Sequence, residues 1–235
     1  MANRLKLSGV DARVVNDLPV DQLGLMILDD FISSGQWNDQ SYIAFLRQER
    51  PDADKVVSAV MEGIAWLFAR GLVMRDALQA AAGAFRVTRQ GRRVHDEGPE
   101  YFHASERLQV GLHPEIERVA RPQFLIGHYE MAVFAAMKAV EVRVRSLGQH
   151  DEADVGVKLI NLAFSPKGGT LTDPNQDGGE QEGTRALFAG AYAVFRNPSG
   201  HREVDFDDVT EAAEMVQTAS LLMRMLDRVD ERLNP

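Results

Sequence analysis

Hydrophobic residues recur at helical spacing along most of the chain. Between residues 52 and 70, Val56, Val60, Ile64 and Leu67 follow one another at intervals of four, four and three, which places them on one face of an α-helix. Similar spacing predicts helices over residues 21–33, 38–48, 127–147, 154–164, 184–196 and 207–233. The pattern therefore predicts a mainly α-helical protein.

Polar and small residues mark where several of these helices begin and end. Asp52 is a suitable N-cap for the helix that follows it, and Gly71 suits the C-terminal end of that helix. Pro114 has the position typical of the first residue of a helix. Asp205 or Asp207 can cap the last helix.

The first hundred residues combine three helices with short strands. Residues 1–17 have weak periodicity, so we expect a poorly ordered arm or a strand there. Residues 72–74 and 85–88, followed by the basic stretch 89–94, are best explained by two short strands and a loop. Three helices followed by a β-hairpin is the element order of a winged helix.

A winged helix allows two interpretations. It binds DNA through its third helix and its wing, or it serves as a docking module that binds no DNA. The basic residues of the wing are Arg86, Arg89, Arg92 and Arg93. The third helix opens instead with Asp52 and Asp54 and carries Glu62. Phosphate contacts need basic groups on the element that enters the groove, so both interpretations stay open.

The sequence divides into two parts. We assign residues 1–100 to the winged-helix-like domain and residues 113–235 to an all-helical bundle with about four main helices. Residues 101–112 belong to a polar stretch that we interpret as a linker.

Composition and charge narrow the class of protein. The chain has no cysteine, no apolar run long enough to span a bilayer and no apolar segment near its N-terminus, so we expect a cytoplasmic protein without disulfides. Its net charge is −9, divided into −2 for residues 1–100 and −7 for residues 101–235. This excludes a protein that coats nucleic acid through bulk charge, and a nucleic-acid site must be a local basic patch.

The strongest candidate for chemistry is the motif that runs from Arg196 to His201. Its Arg-x4-His spacing is weak evidence, because four to six residues separate an arginine from a following histidine in five other pairs. The motif differs from those pairs because Asn197 follows the arginine, Pro198 breaks a helix of small residues, and a long helix comes next.

These residue types suit RNA cleavage without a metal. His201 can act as a base or an acid, Arg196 can bind a phosphate and stabilise its charge, and Asn197 can orient the histidine or hold a phosphate oxygen. The alternative is an arginine and a histidine that interact with the free carbonyls of a helix end.

A second candidate element is the pair formed by Glu141 and Arg145, four residues apart on a predicted helix. One interpretation is an exposed salt bridge of little energetic value. The other is an inward-pointing pair that supports a functional site, because Glu141 shares a helix face with Phe134 and Met137.

Residues 113–233 resemble a HEPN domain, and more narrowly the Ymh-like group of uncharacterised bacterial and phage proteins. The strings that carry the likeness are Leu112-His113-Pro114-Glu115-Ile116, Tyr129-Glu130 with Lys138, Glu141-Val142-Arg143-Val144-Arg145, and Leu187-Phe188-Ala189-Gly190-Ala191 ahead of Arg196-Asn197-Pro198. The resemblance implies a metal-independent endoribonuclease of phage defence, abortive infection or toxin–antitoxin growth arrest. It also implies a homodimer formed through this helical domain, with Glu141 and Arg145 supporting the site.

The resulting hypothesis is a HEPN-type ribonuclease with RNA as substrate, no cofactor, no metal and no membrane partner. The winged-helix-like domain would take a DNA or protein partner. The competing hypothesis is a non-catalytic DNA-binding regulator, or a defence sensor, that uses the bundle for dimerisation. The histidines lack metal-binding spacing.

Overall fold

The computed structural model describes residues 4–36, 38–79, 83–108, 110–196 and 209–235. Within these residues the protein is 71% helix, with eleven α-helices and one two-stranded sheet. This confirms the mainly helical prediction. The chain forms two compact units, Met1–Phe102 (unit 1) and His103–Pro235 (unit 2).

Unit 1 is built around the packing of two helices against each other. Its elements are a 3-10 helix (Lys6–Gly9), α1 (Ala12–Asp17), α2 (Val20–Ser34), α3 (Asp39–Glu49), a 3-10 helix (Ala53–Lys55), α4 (Val57–Ala69), β1 (Val73–Arg75), β2 (Phe85–Val87) and α5 (Arg89–Glu97). Helices α2 and α4 approach closely through glycines: Gly24 lies against the Trp66 ring and Gly63 against Ile27. Val60, Ile64 and Leu67 are buried, as the periodicity predicts.

Residues 4–17 contain a 3-10 helix and α1, so for these residues the prediction of a poorly ordered arm or a strand is wrong. Leu5, Leu7 and Val15 are buried in the core of unit 1. The backbone N–H of Lys6 donates to Asp30 Oδ1 at 2.6 Å, and Arg50 Nη1 donates to the carbonyl of Leu7 at 2.9 Å. Distant side chains therefore hold a segment that has little periodicity of its own.

Asp52 does not cap α4, contrary to the prediction. Its carboxylate instead accepts two hydrogen bonds from the guanidinium of Arg50, at 2.7 and 3.0 Å. The chain then forms the short 3-10 helix before α4 begins at Val57. Because the side chain is already paired, it is not available to the backbone at the start of the helix.

The strands β1 and β2 pair antiparallel, with Val73 opposite Val87. The basic stretch after them is not part of this hairpin, because Arg89, Arg92 and Arg93 lie on α5. The side chain of Thr88 accepts a hydrogen bond from the N–H of Gly91 and so caps that helix. Of the basic residues predicted for the wing, only Arg86 is in a strand.

Unit 2 is a helical bundle in which the other helices pack around one central helix. Its elements are the end of α6 (Pro99–Arg107), then α7 (Pro114–Leu125), α8 (Tyr129–Gly148), α9 (Gly156–Ala163), α10 (Gly178–Phe195) and α11 (Val209–Leu233). Helix α8 contacts α7, α9, α10 and α11. Its inward residues Val133, Met137, Val140 and Val144 are fully buried.

The stretch interpreted as a linker is largely structured. Helix α6 covers its first part, and Leu108 and Leu112 are buried in the core of unit 2. Pro114 opens α7 as predicted, with His113 as the N-cap residue. The caps predicted at Asp205 and Asp207 lie outside the described residues.

Helix α10 begins six residues earlier than predicted. Asp177 accepts a hydrogen bond from the N–H of Glu180, whose carboxylate in turn accepts one from the N–H of Asp177. This reciprocal capping box starts the helix at Gly178. Across the described residues, no helix has the length and apolar character required to cross a membrane.

Candidate active site

Glu141 points into unit 2 and is 6% exposed, so the interpretation as an exposed salt bridge is wrong. Its Oε1 accepts hydrogen bonds from Arg145 Nη2 at 2.8 Å and from the N–H of Gly156 at 3.1 Å. Its Oε2 accepts a hydrogen bond from the hydroxyl of Tyr192. Three donors from three parts of the chain therefore satisfy one buried carboxylate.

Arg145 extends this network towards α9. Its Nε donates to the carbonyl of Asp154 at 3.0 Å, while its Nη2 holds Glu141. The turn before α9 is thus bound twice, because Gly156 at the start of that helix donates to the same glutamate. The pair fixes the approach of α9 to α8.

Tyr192 joins the network from α10 and is 1% exposed. Burial raises the pKa of its phenol, and the hydrogen bond to Glu141 raises it further. The phenol therefore stays protonated at neutral pH and acts as a hydrogen-bond donor. The positive charges of Arg196 and Arg145 act on this pKa in the opposite direction.

Arg196 follows the last residue of α10, and its N–H donates to the carbonyl of Tyr192 at 3.1 Å. Its Cζ lies 5.1 Å from the ring centroid of Phe134 and 5.8 Å from that of Tyr192. Among the described residues, its buried Nε has no hydrogen-bond partner, and no carboxylate lies within 4.0 Å of its guanidinium. Two aromatic rings thus hold a cation that no described residue neutralises.

The structure brings three of the five predicted site residues around one tyrosine. Arg196 contacts the ring of Tyr192, and Glu141 with Arg145 lies at its hydroxyl end. The other two, Asn197 and His201, lie outside the described residues. Sequence reasoning missed Tyr192, although its position four residues before Arg196 on the same helix is a signal that it shares the face of the motif.

A cavity of about 690 Å³ in unit 2 is lined by His113 and by several cationic side chains, among them Lys138 and Arg143. His113 Nε2 lies 3.1 Å from Asp227 Oδ2, and its Nδ1 accepts from the N–H of Glu115 at 3.2 Å. Both ring nitrogens are occupied by the fold, which leaves this histidine unsuited to proton transfer with a substrate. In the described part of the chain, no group of three or more acidic or histidine side chains could hold a metal ion.

Residues 110–226 match the family model Hypoth_Ymh, described as a protein of unknown function. The matched range contains Glu141, Arg145, Tyr192 and Arg196, and therefore the whole network described above. No curated protein and no solved structure matches the chain.

Proposed function

We propose that the chain is a metal-independent endoribonuclease of the HEPN type, with an active site at the end of α10. The observation that carries the proposal is the guanidinium of Arg196, which lies against two aromatic rings and whose buried Nε has no partner among the described residues. Desolvating an arginine costs free energy unless an acceptor completes it. A phosphate diester is a suitable anion, because guanidinium groups bind phosphate oxygens in a bidentate manner.

In the proposed reaction, His201 takes the proton of a ribose 2′-hydroxyl, whose oxygen attacks the neighbouring phosphorus. The bond from phosphorus to the 5′-oxygen breaks, and that oxygen takes a proton from water as it leaves. The products are a 2′,3′-cyclic phosphate and a 5′-hydroxyl. Arg196 stabilises the charge that grows on the phosphate, and Asn197 orients His201 or holds a phosphate oxygen.

Glu141 and Arg145 have a positioning role in this proposal. Their polar atoms are engaged with Tyr192, Gly156 and Asp154, and the contacts connect α8, α9 and α10. They hold the end of α10, and with it Arg196, against α8. The site is preorganised because this network is buried.

The biological setting follows from the likeness to HEPN proteins. We propose a role in phage defence, abortive infection or toxin–antitoxin growth arrest, with a homodimer formed through unit 2. Residues 101–235 have a net charge of −7, which repels RNA at long range. This charge suits a narrow or gated site rather than unregulated capture of RNA.

The test compares wild type with Arg196→Ala, Arg196→Lys and His201→Ala, using labelled RNA with and without a chelator. We expect the chelator to have no effect, both alanine variants to lose cleavage by about a hundredfold or more, and products with cyclic phosphate ends. Arg196→Lys should recover little, because lysine lacks the planar fork. Arg185→Ala is the matched control on α10, since Arg185 pairs with the exposed Glu182.

The proposal fails if the purified chain leaves RNA intact and these substitutions do not change growth or RNA integrity in cells. The competing proposal is a DNA-binding regulator or a defence sensor, and the order of α2, α3, α4 and the β1–β2 hairpin favours it. A regulator would retard a DNA duplex on a gel and would be indifferent to His201→Ala.

A further inference from the structure

Helix α5 presents three exposed arginines on one side. Arg89, Arg92 and Arg93 fall on the same helix face at 3.6 residues per turn, opposite the buried Gly91 and Val94. The buried side fixes the helix to unit 1. The arginines therefore form a rigid basic surface, which we call the α5 basic face.

The α5 basic face has no acidic partner among the described residues. No described carboxylate lies within 4.0 Å of its three guanidinium groups, whereas Arg47, Arg50 and Arg86 of the same unit each pair with an aspartate. Arg93 instead lies over the ring of Tyr101, with its Cζ 4.9 Å from the centroid.

Nearby acids do not neutralise this face. Asp96 and Glu97 lie four residues after Arg92 and Arg93, but this order of cation before anion is the weaker orientation for a helical pair. Asp96 and Glu97 therefore leave the positive charge of Arg92 and Arg93 available.

Folding stability does not explain the placement of these arginines. The first turn of α5 contains no acidic residue, and cations near the N-terminus of a helix interact unfavourably with its dipole. A sequence selected for stability alone would place Asp or Glu there. A surface that is electrostatically unfavourable in the free protein becomes favourable when a polyanion covers it.

We infer that the α5 basic face binds the sugar–phosphate backbone of RNA, which rests on the proposed ribonuclease function. Helix α4, the third main helix of unit 1, contains no lysine or arginine and carries Glu62, so it does not suit insertion into a charged groove. Most of the chain's net negative charge, −7 of −9, lies in residues 101–235 and therefore in unit 2. Contacts through arginine to phosphates alone make this binding independent of base sequence.

The test measures binding by the full chain to a fluorescent single-stranded RNA with 2′-O-methyl riboses, which cannot be cleaved through the 2′-oxygen. The variant Arg89→Gln/Arg92→Gln/Arg93→Gln is compared with wild type over a range of salt concentrations. Three lost phosphate contacts should reduce the slope of log affinity against log salt by about 2. At low salt we expect affinity to fall on the order of tenfold or more.

The matched control is Arg4→Gln/Arg13→Gln/Arg47→Gln, which removes the same charge from other exposed positions of unit 1. Circular dichroism verifies that both triple variants are folded. The inference is overturned if the α5 variant keeps its affinity and slope, if the control loses as much, if duplex DNA binds more tightly than RNA, or if wild type binds no RNA at low salt.

The outcome is separable from that of the proposed function. A chain that binds this RNA through α5 but cleaves no RNA would disprove the nuclease and keep the α5 surface. A chain that cleaves RNA while the α5 variant binds normally would disprove the α5 surface alone.

Discussion

The hydroxyl of Tyr192 donates a hydrogen bond to the buried carboxylate of Glu141, across 51 positions of sequence, and so connects α10 to α8. The same carboxylate holds Arg145 and the first residue of α9. The network is fully satisfied, and a satisfied buried network makes one arrangement of helices more favourable than its alternatives. Its members should therefore be costly to replace one at a time.

Replacing Tyr192 by Phe removes one donor from Glu141 and leaves the packing of the ring. We expect the free energy of unfolding to fall by about 1.5–3 kcal/mol, which is typical of a hydrogen bond to a charged group. Urea unfolding followed by far-ultraviolet circular dichroism measures this change.

The matched control is Tyr101→Phe, since the hydroxyl of Tyr101 has no hydrogen bond within the described residues and its ring is partly exposed. It should change stability by less than about 0.5 kcal/mol. Equal effects of the two substitutions would show that the bond from Tyr192 to Glu141 contributes nothing specific.

Replacing Glu141 by Gln keeps the volume but leaves Arg145 without its anion in a partly buried position. We expect a loss of about 3–5 kcal/mol, the range seen when one partner of a buried pair is removed. Glu182→Gln is the control, because Glu182 is half exposed in its pair with Arg185, so its replacement should change the free energy of unfolding far less.

The double variant of Tyr192→Phe and Glu141→Gln provides a further check. Because the two side chains share one hydrogen bond, its loss should be smaller than the two single losses combined. Strict additivity would contradict the network.

Sequence periodicity predicts a helix where the residues of that helix by themselves determine which face packs against the core. Val60, Ile64 and Leu67 repeat along α4 and are all buried, so the pattern alone determines which face of the helix meets the core. The N-terminal segment is different, because Asp30 and Arg50 hold its backbone from 24 and 43 residues away. Such long-range hydrogen bonds leave no periodic signal.

The sequence predicts part of the candidate site, in the same way that it predicts part of the fold. The four-residue spacing of Glu141 and Arg145 indicates a pair, but the burial that gives the pair its importance comes from Tyr192 on another helix. The sequence predicts a wing rather than a helix after β2 because α5 has only nine residues and a single large apolar side chain, Val94. Only the cap at Thr88 and the close contact of Gly91 with β-hairpin residues show that these residues form a helix.

Gly91 and Gly190 are both helical, and alanine should have opposite effects at the two positions. A Cβ at Gly91 would collide with the carbonyl oxygen of Leu72 and lie 2.9 Å from a methyl group of Val87. We expect Gly91→Ala to destabilise unit 1 by about 1–3 kcal/mol, because backbone must move to make room. A Cβ at Gly190 meets nothing within 4 Å, so Gly190→Ala should stabilise by about 0.5–1 kcal/mol.

Thermal or urea unfolding of the two glycine variants measures these changes. Both tryptophans, Trp37 and Trp66, belong to unit 1, so their fluorescence reports on Gly91→Ala, while circular dichroism follows Gly190→Ala. A neutral result at Gly91 would mean that α5 is not packed against the residues around β1 and β2.

The carboxylate of Asp76 should make the stability of unit 1 depend on pH in acid. Its Oδ2 accepts from Arg86 Nε at 2.7 Å and its Oδ1 from the N–H of Leu78 at 3.0 Å, and these bonds, Arg86 first, hold its pKa below the ordinary 3.8. The unfolded chain therefore binds the proton more readily. The stabilisation is complete above the unfolded pKa and is lost as pH falls through the lower folded pKa.

Comparing wild type with Asp76→Asn isolates this contribution. The amide keeps the shape of the carboxylate without its charge, so the variant should be less stable than wild type at pH 7, and the difference should shrink as pH falls below about 4. Urea unfolding followed by tryptophan fluorescence at about pH 7, 5 and 3 measures it. Asp17→Asn, at an exposed residue with no ion pair in the described chain, should show no such trend. A difference for Asp76→Asn that stays constant with pH would mean that the bonds to Arg86 and Leu78 do not distinguish a carboxylate from an amide.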